Sequence, residues 1–132
     1  MKKLNSPNRR GATAVEVALC LPLLFLFLFA SFELASANML RHACESAAYE
    51  GARVGIVPGV TEAKIENAVG FVMGSVGASK YDVTVTPQKI DSNTKKVTVE
   101  VEAELRENSI MSHLFIGNLR LRGSCELTRE VL

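Results

Sequence analysis

The feature that most constrains this chain is a near-continuous apolar run from Ala12 to Phe32. Over 21 residues it is broken only by Thr13, Glu16, Pro22 and Ser31. As a helix it rises about 30 Å, the thickness of a bilayer's hydrocarbon core. Directly before it, Met1 to Arg10 carries Lys2, Lys3, Arg9 and Arg10 and no acidic residue. Basic residues flanking a span hold that side in the cytoplasm, so everything after Phe32 is expected outside. A second reading makes the run a cleavable secretory signal with its small-residue site at Ala35-Ser36-Ala37. The run exceeds the usual signal core of about 7–15 residues, which favours a spanning helix.

Composition bounds the remainder. The chain has 132 residues and a formal charge of +1, room for one small domain beyond the anchor. Removing the basic leader leaves eleven basic against fourteen acidic residues. No global field therefore steers it to nucleic acid. The mean hydropathy is positive although the hydrophobic share is an ordinary 48%, because the apolar residues are concentrated in the run. Disordered and collagen-like chains are excluded, and three cysteines are too few for a disulfide scaffold.

Glu16 stands inside the run. A carboxylate costs about 2.5–3.5 kcal/mol at the centre of a spanning helix and less near its end. Either it finds a partner, or it is tolerated close to the cytoplasmic interface.

Arg9-Arg10-Gly11-Ala12-Thr13-Ala14-Val15-Glu16, followed by Val17 to Pro22, resembles the start of TadE-like pseudopilins of tight-adherence (Tad/Flp) pili. The resemblance continues through Glu33 and Ala48-Tyr49-Glu50-Gly51-Ala52-Arg53 to Leu119-Arg120-Leu121-Arg122-Gly123 and Cys125 to Arg129. It departs from the family where Val17 stands for a frequent aromatic residue and Tyr49 for a frequent arginine. It implies a leader at 1–11, a transmembrane segment at 12–32 and an extracytoplasmic domain at 33–132. It also implies cleavage by a prepilin peptidase between Gly11 and Ala12, and Glu16 as the fifth residue of the mature chain. Glu16 would then pair with the Ala12 amine of a neighbouring subunit, each offsetting the burial of the other. The implied partners are the peptidase, other pilin subunits, the Tad inner-membrane assembly platform and the lipid bilayer. The implied location is the bacterial inner membrane, or the pilus itself.

Past the run the pattern is amphipathic. Ala37, Leu40, Cys44, Ala47 and Gly51 share one helical face, which predicts a continuation of the helix over 33–57, ended by Pro58-Gly59. A second helix is expected over 61–77. Thr61 is its N-cap, and Ile65, Ala68, Val69, Val72, Met73 and Val76 form its apolar stripe. Gly70 and Gly74 weaken it, so it must lean on tertiary packing.

The period then changes to two. Tyr81-Val83-Val85, Val97-Val99-Val101-Ala103-Leu105 and Leu119-Leu121-Gly123-Cys125-Leu127 predict three strands within 80–130. Asp91 to Thr94 is a turn cluster, and Ile110 to Ile116 an apolar loop that plugs the sheet edge or contacts another subunit. The acidic face of Glu100 to Glu104 is either solvated or faces Arg120 and Arg122 on a neighbouring strand. The expected class is α+β: a long membrane-anchored N-terminal helix continuing into a pilin-like domain with a second helix and a three-stranded antiparallel sheet.

Enzyme chemistry has no foothold in this inventory. His42 and His113 lack metal-ligand spacing, no C-x-x-C and no glycine-rich phosphate loop occur, and no nucleophile–base set can be assembled. No cofactor, metal or small-molecule substrate is expected. Cys20 lies in the apolar run, while Cys44 and Cys125 fall on apolar faces outside it. An extracytoplasmic pair suggests a disulfide from helix to last strand; the alternative is two reduced, buried thiols. The expected function is that of a non-enzymatic minor pilin. The rivals are an uncut bitopic subunit of a secretion or adhesion complex, and a secreted binding module released after Ala37.

Overall fold

A computed structural model describes residues 9–88, 90, 94–108 and 117–129. The turn at Asp91 to Asn93, the apolar loop at Ile110 to Ile116 with His113, and most of the basic leader lie outside the described residues. The elements run α1 (Arg9–Gly55), α2 (Glu62–Ser75), β1 (Tyr81–Thr86), β2 (Lys96–Glu104), α3 (Leu105–Asn108) and β3 (Arg120–Thr128). The arrangement is α+β, with a long apolar helix, a second helix and a three-stranded antiparallel sheet. Two compact units meet in sequence between Phe32 and Glu33.

The first unit is the apolar part of α1. Large side chains from Val15 to Leu28 are exposed along it, as a helix surrounded by lipid rather than by protein would be. Pro22 sits inside the helix without interrupting it. Ser31 Oγ donates to Phe27 O at 2.8 Å, so the hydroxyl is satisfied within the helix. The Phe25 and Phe29 rings stack 6.1 Å apart.

The second unit holds the core. In sheet order β1-β2-β3, the central β2 pairs antiparallel with both neighbours. Val97, Val99, Val101 and Ala103 point into the core, and the residues between them face out. The strict alternation forces this: a pleated strand sends neighbours to opposite faces. Against that face lies a stripe of α1 made of Ala37, Leu40, Cys44, Ala47, Ala48 and Ala52. Because its side chains are small, helix and sheet approach closely. A methyl group at Gly51 would stand 2.9 Å from Val69 and 3.1 Å from Val99. One at Gly123 would overlap the backbone of Cys44 and Glu45.

The α2 helix contributes Ile65, Val69 and Met73 to the same core. Each fully buried side chain of this size is worth about 1.5–3 kcal/mol, against about 1 kcal/mol lost at each helical glycine. Packing therefore wins over propensity. Its end is a Schellman turn: Gly77 N donates to Gly74 O, Ala78 N donates to Met73 O, and Gly77 has φ +74°.

The ends of these elements differ in detail from the sequence pattern. Thr61 occupies the N-cap position with extended φ and ψ, but its hydroxyl makes no capping bond; its carbonyl instead accepts from Lys64 N and Ile65 N. Leu105 does not prolong β2. The chain turns into α3 there, with Leu105 N donating to Leu119 O and its side chain still buried. The long helix ends at Gly55.

Candidate functional site: the processing and assembly segment

Gly11, Ala12 and Glu16 all lie on the first turns of α1, in the first unit. They are exposed, and nothing approaches the position a Gly11 side chain would take. Ala12 and Glu16 are four residues apart on a helix, hence one above the other on the same face. The Gly11–Ala12 peptide is helical here. Glycine lowers the helical preference of this first turn by about 1 kcal/mol.

The segment around Ala48 to Arg53 belongs to the second unit and is a packing device. Ala48, Gly51 and Ala52 are enclosed, while Glu50 and Arg53 pair on the outside at 3.3 Å. Glu33 extends the buried stripe one turn towards the amino terminus and is only 2% exposed. Sequence reasoning missed this burial. The period of Ala37, Leu40 and Cys44, run one step backwards, reaches Glu33, but a carboxylate does not read as part of an apolar stripe.

On the outer face of the sheet, the charges foreseen there do meet. Glu104 stands opposite Arg120 and Glu102 opposite Arg122. Arg120 Nε lies 2.7 Å from Glu104, and Arg122 pairs with Glu100 while reaching Glu102 at 3.7 Å. Lys96 pairs with Glu126 at 2.6 Å, and its hydrogen bond and charge hold that carboxyl below the ordinary range. On α1, His42 lies 3.5 Å from Glu45, which also pairs with Arg41 at 3.2 Å.

The cysteines are free thiols. Cys44 is fully buried beside Gly123, and its Sγ points to Leu121 O at 3.9 Å. Cys125 lies on β3 opposite Val99, on the other side of Gly123 from Leu121. The Cys44 thiol lies against Leu121 O, and Cys44 and Cys125 are both free thiols in this structure. Burial pushes the Cys44 thiol up to about 11, and the neighbouring Glu45 carboxylate adds to the shift. Such a thiol stays protonated and unreactive at neutral pH. Among the described residues no group of three or more His, Cys, Asp or Glu is placed to hold a metal ion.

The chain thus joins a helix long and apolar enough to cross a membrane to a small α+β unit with paired surface charges. The model of the family described as TadE-like protein matches residues 11–53, beginning at Gly11 and ending at Arg53. The matched stretch takes in the apolar helix and the Glu33 to Arg53 stripe. Neither the curated proteins nor the solved structures give a match. The family match covers 43 of the 132 residues.

Proposed function

We propose that this chain is a minor pilin of a tight-adherence pilus. It is inserted with its amino terminus in the cytoplasm, as a single-pass protein of the bacterial inner membrane. A prepilin peptidase cuts it between Gly11 and Ala12, and the assembly platform then recruits it. The domain from residue 33 onward stands outside the membrane and primes the filament or takes its tip. One observation carries the reading: the family match begins at Gly11, the last residue of a basic leader that runs into the exposed apolar helix.

The chemistry is that of charge placement. Cleavage frees an ammonium at Ala12. Glu16, exposed on the same helix, offers a carboxylate to the Ala12 amine of the next subunit. In a low-dielectric surround each charge offsets the desolvation of the other, and their pairing sets the axial register.

The test is the intact mass and amino-terminal sequence of the membrane-extracted protein from its native host. A start at Ala12 is the expected result. A start at Met1 with the protein still in the membrane would make it a bitopic subunit. A start at Asn38 would make it a secreted module and remove any role for Glu16.

A further inference from the structure

The three-stranded sheet has two edges, and they are treated differently. The β1 edge is six residues long, and at its entry the Asn108 side chain ties Lys80 to Glu104 on the β2 side. Pro87 follows its other end. The β3 edge is nine residues long. The bonds from Arg129 N to Lys95 O and from Leu105 N to Leu119 O lie at the two ends of the β2–β3 ladder and fix its phase. Odd-numbered residues of β3 turn their N–H and C=O groups to β2. Arg120, Arg122, Ser124, Glu126 and Thr128 therefore turn theirs to the open side. Among the described residues, nothing bonds to them there. Leu121, Cys125 and Leu127 on the inner face are only half-buried, whereas Val97, Val99 and Val101 beside them are fully enclosed.

We infer that β3 pairs antiparallel with β3 of a second copy of this chain, about a two-fold axis through Ser124. Three features of the strand select this partner and this register. The axis uses the whole strand: Arg120 faces Thr128, Arg122 faces Glu126, and Ser124 faces itself. All of these residues carry free backbone groups, so the ladder gains about ten bonds. The charges match, since Arg122 of each copy stands opposite Glu126 of the other, twice by symmetry. The inner face matches too, with Leu121 opposite Leu127 extending the apolar layer across the junction. An axis through Cys125 would set Arg122 against Thr128 and carry Arg120 and Leu121 beyond the end of the partner strand. An axis through Gly123 would also pair charges, Arg120 with Glu126, but would carry Leu127 and Thr128 beyond the start of the partner strand. Charged residues on an edge repel a foreign strand; placed symmetrically about Ser124, they admit a copy of their own. The inference is independent of whether the leader is cut.

The test uses the full chain in detergent micelles. Ser124→Cys is made in a Cys20→Ser, Cys125→Ser background, with the buried Cys44 retained, and mildly oxidised. A covalent dimer is expected, in about ten-fold excess over Thr128→Cys in the same background. The two side chains at position 128 would lie about 27 Å apart across the axis. Ser124→Pro, which removes an N–H turned away from β2, is expected to convert a dimer to a monomer by light scattering while circular dichroism stays unchanged. No covalent dimer at position 124, or equal linking at 124 and 128, overturns the inference. So does a well-folded Ser124→Pro protein with an undiminished mass. Should the proline variant not fold, the comparison of the two cysteine positions decides alone.

Discussion

Asn108 grips Lys80 from both sides: its Oδ1 accepts from Lys80 N at 3.1 Å, and its Nδ2 donates to Lys80 O at 2.6 Å. The same side chain also accepts from Ser79 N at 3.0 Å and donates to Glu104 O at 3.0 Å. One amide thus fastens the end of β2 and the α3 turn to the entry of β1, and Lys80 Nζ adds an ion pair with Glu107 at 3.3 Å.

Asn108→Ala should cost about 2 kcal/mol, because several partly exposed backbone bonds are lost at roughly 0.5–1.5 kcal/mol each. Asn108→Asp should cost as much or more. It keeps the acceptor but sets a carboxylate oxygen against the carbonyls of Lys80 and Glu104. Denaturant unfolding of the three proteins measures both effects; a stability equal to wild type for the aspartate variant would show that the Nδ2 bonds contribute nothing.

Gly123→Ala should be far more damaging than Gly51→Ala. At 123 the added carbon meets the backbone of Cys44 and Glu45, which cannot move without shifting α1. At 51 it meets the ends of Val69 and Val99, and the helix recovers about 1 kcal/mol of propensity. A loss of about 3 kcal/mol or more is expected at 123, and about 1 kcal/mol or less at 51. Thermal unfolding of the pair decides the order.

Glu16→Ala should leave membrane insertion and cleavage intact while the protein disappears from the sheared pilus fraction. Gly11→Ala, which has open space around it, should leave the domain's melting unchanged and slow the appearance of the Ala12 terminus. Immunoblots of membrane and pilus fractions separate the two. Ordinary recovery of the Glu16 variant in pili would sink the pairing with the Ala12 amine.

Cys44 carries a pH signature. Its folded pKa, about 11, lies above the ordinary 9.0. The unfolded chain therefore loses this proton first, and the thiol's contribution to stability is whole below about pH 9 and falls between about pH 9 and 11. The stability difference between wild type and Cys44→Ala should be flat up to about pH 9 and then move against wild type. Labelling of native protein at about pH 8 should miss Cys44, whereas denatured, unreduced protein should show three thiols.

Much of this architecture was legible because it is periodic. The stripe Ala37-Leu40-Cys44-Ala47 and the alternation Val97-Val99-Val101 each commit a face to the core through spacing alone. The opposition of Glu104 to Arg120 needed only the assumption that the strands were neighbours. What escaped was set by contacts distant in sequence. Nothing near Asn108 announces partners at Ser79 and Lys80, because an asparagine that fastens two strands reads like any loop asparagine. The turn at Leu105 was hidden because its side chain keeps the inward phase of β2 after the backbone has left the strand. For the cysteines, spacing put both on inward faces, but what a thiol lies against belongs to the folded contact. Gly11, Ala12 and Glu16 are legible only as a linear signal, since nothing packs around them.

The contact at Gly123 also constrains how this chain can vary. A glycine codon altered at one base to encode another residue yields a residue with a Cβ, and every Cβ at 123 enters the space held by the Cys44 backbone. In a library of random missense variants selected only for a folded domain, position 123 should come back as glycine. Its neighbours Arg122 and Ser124, whose side chains face solvent, should come back as almost anything.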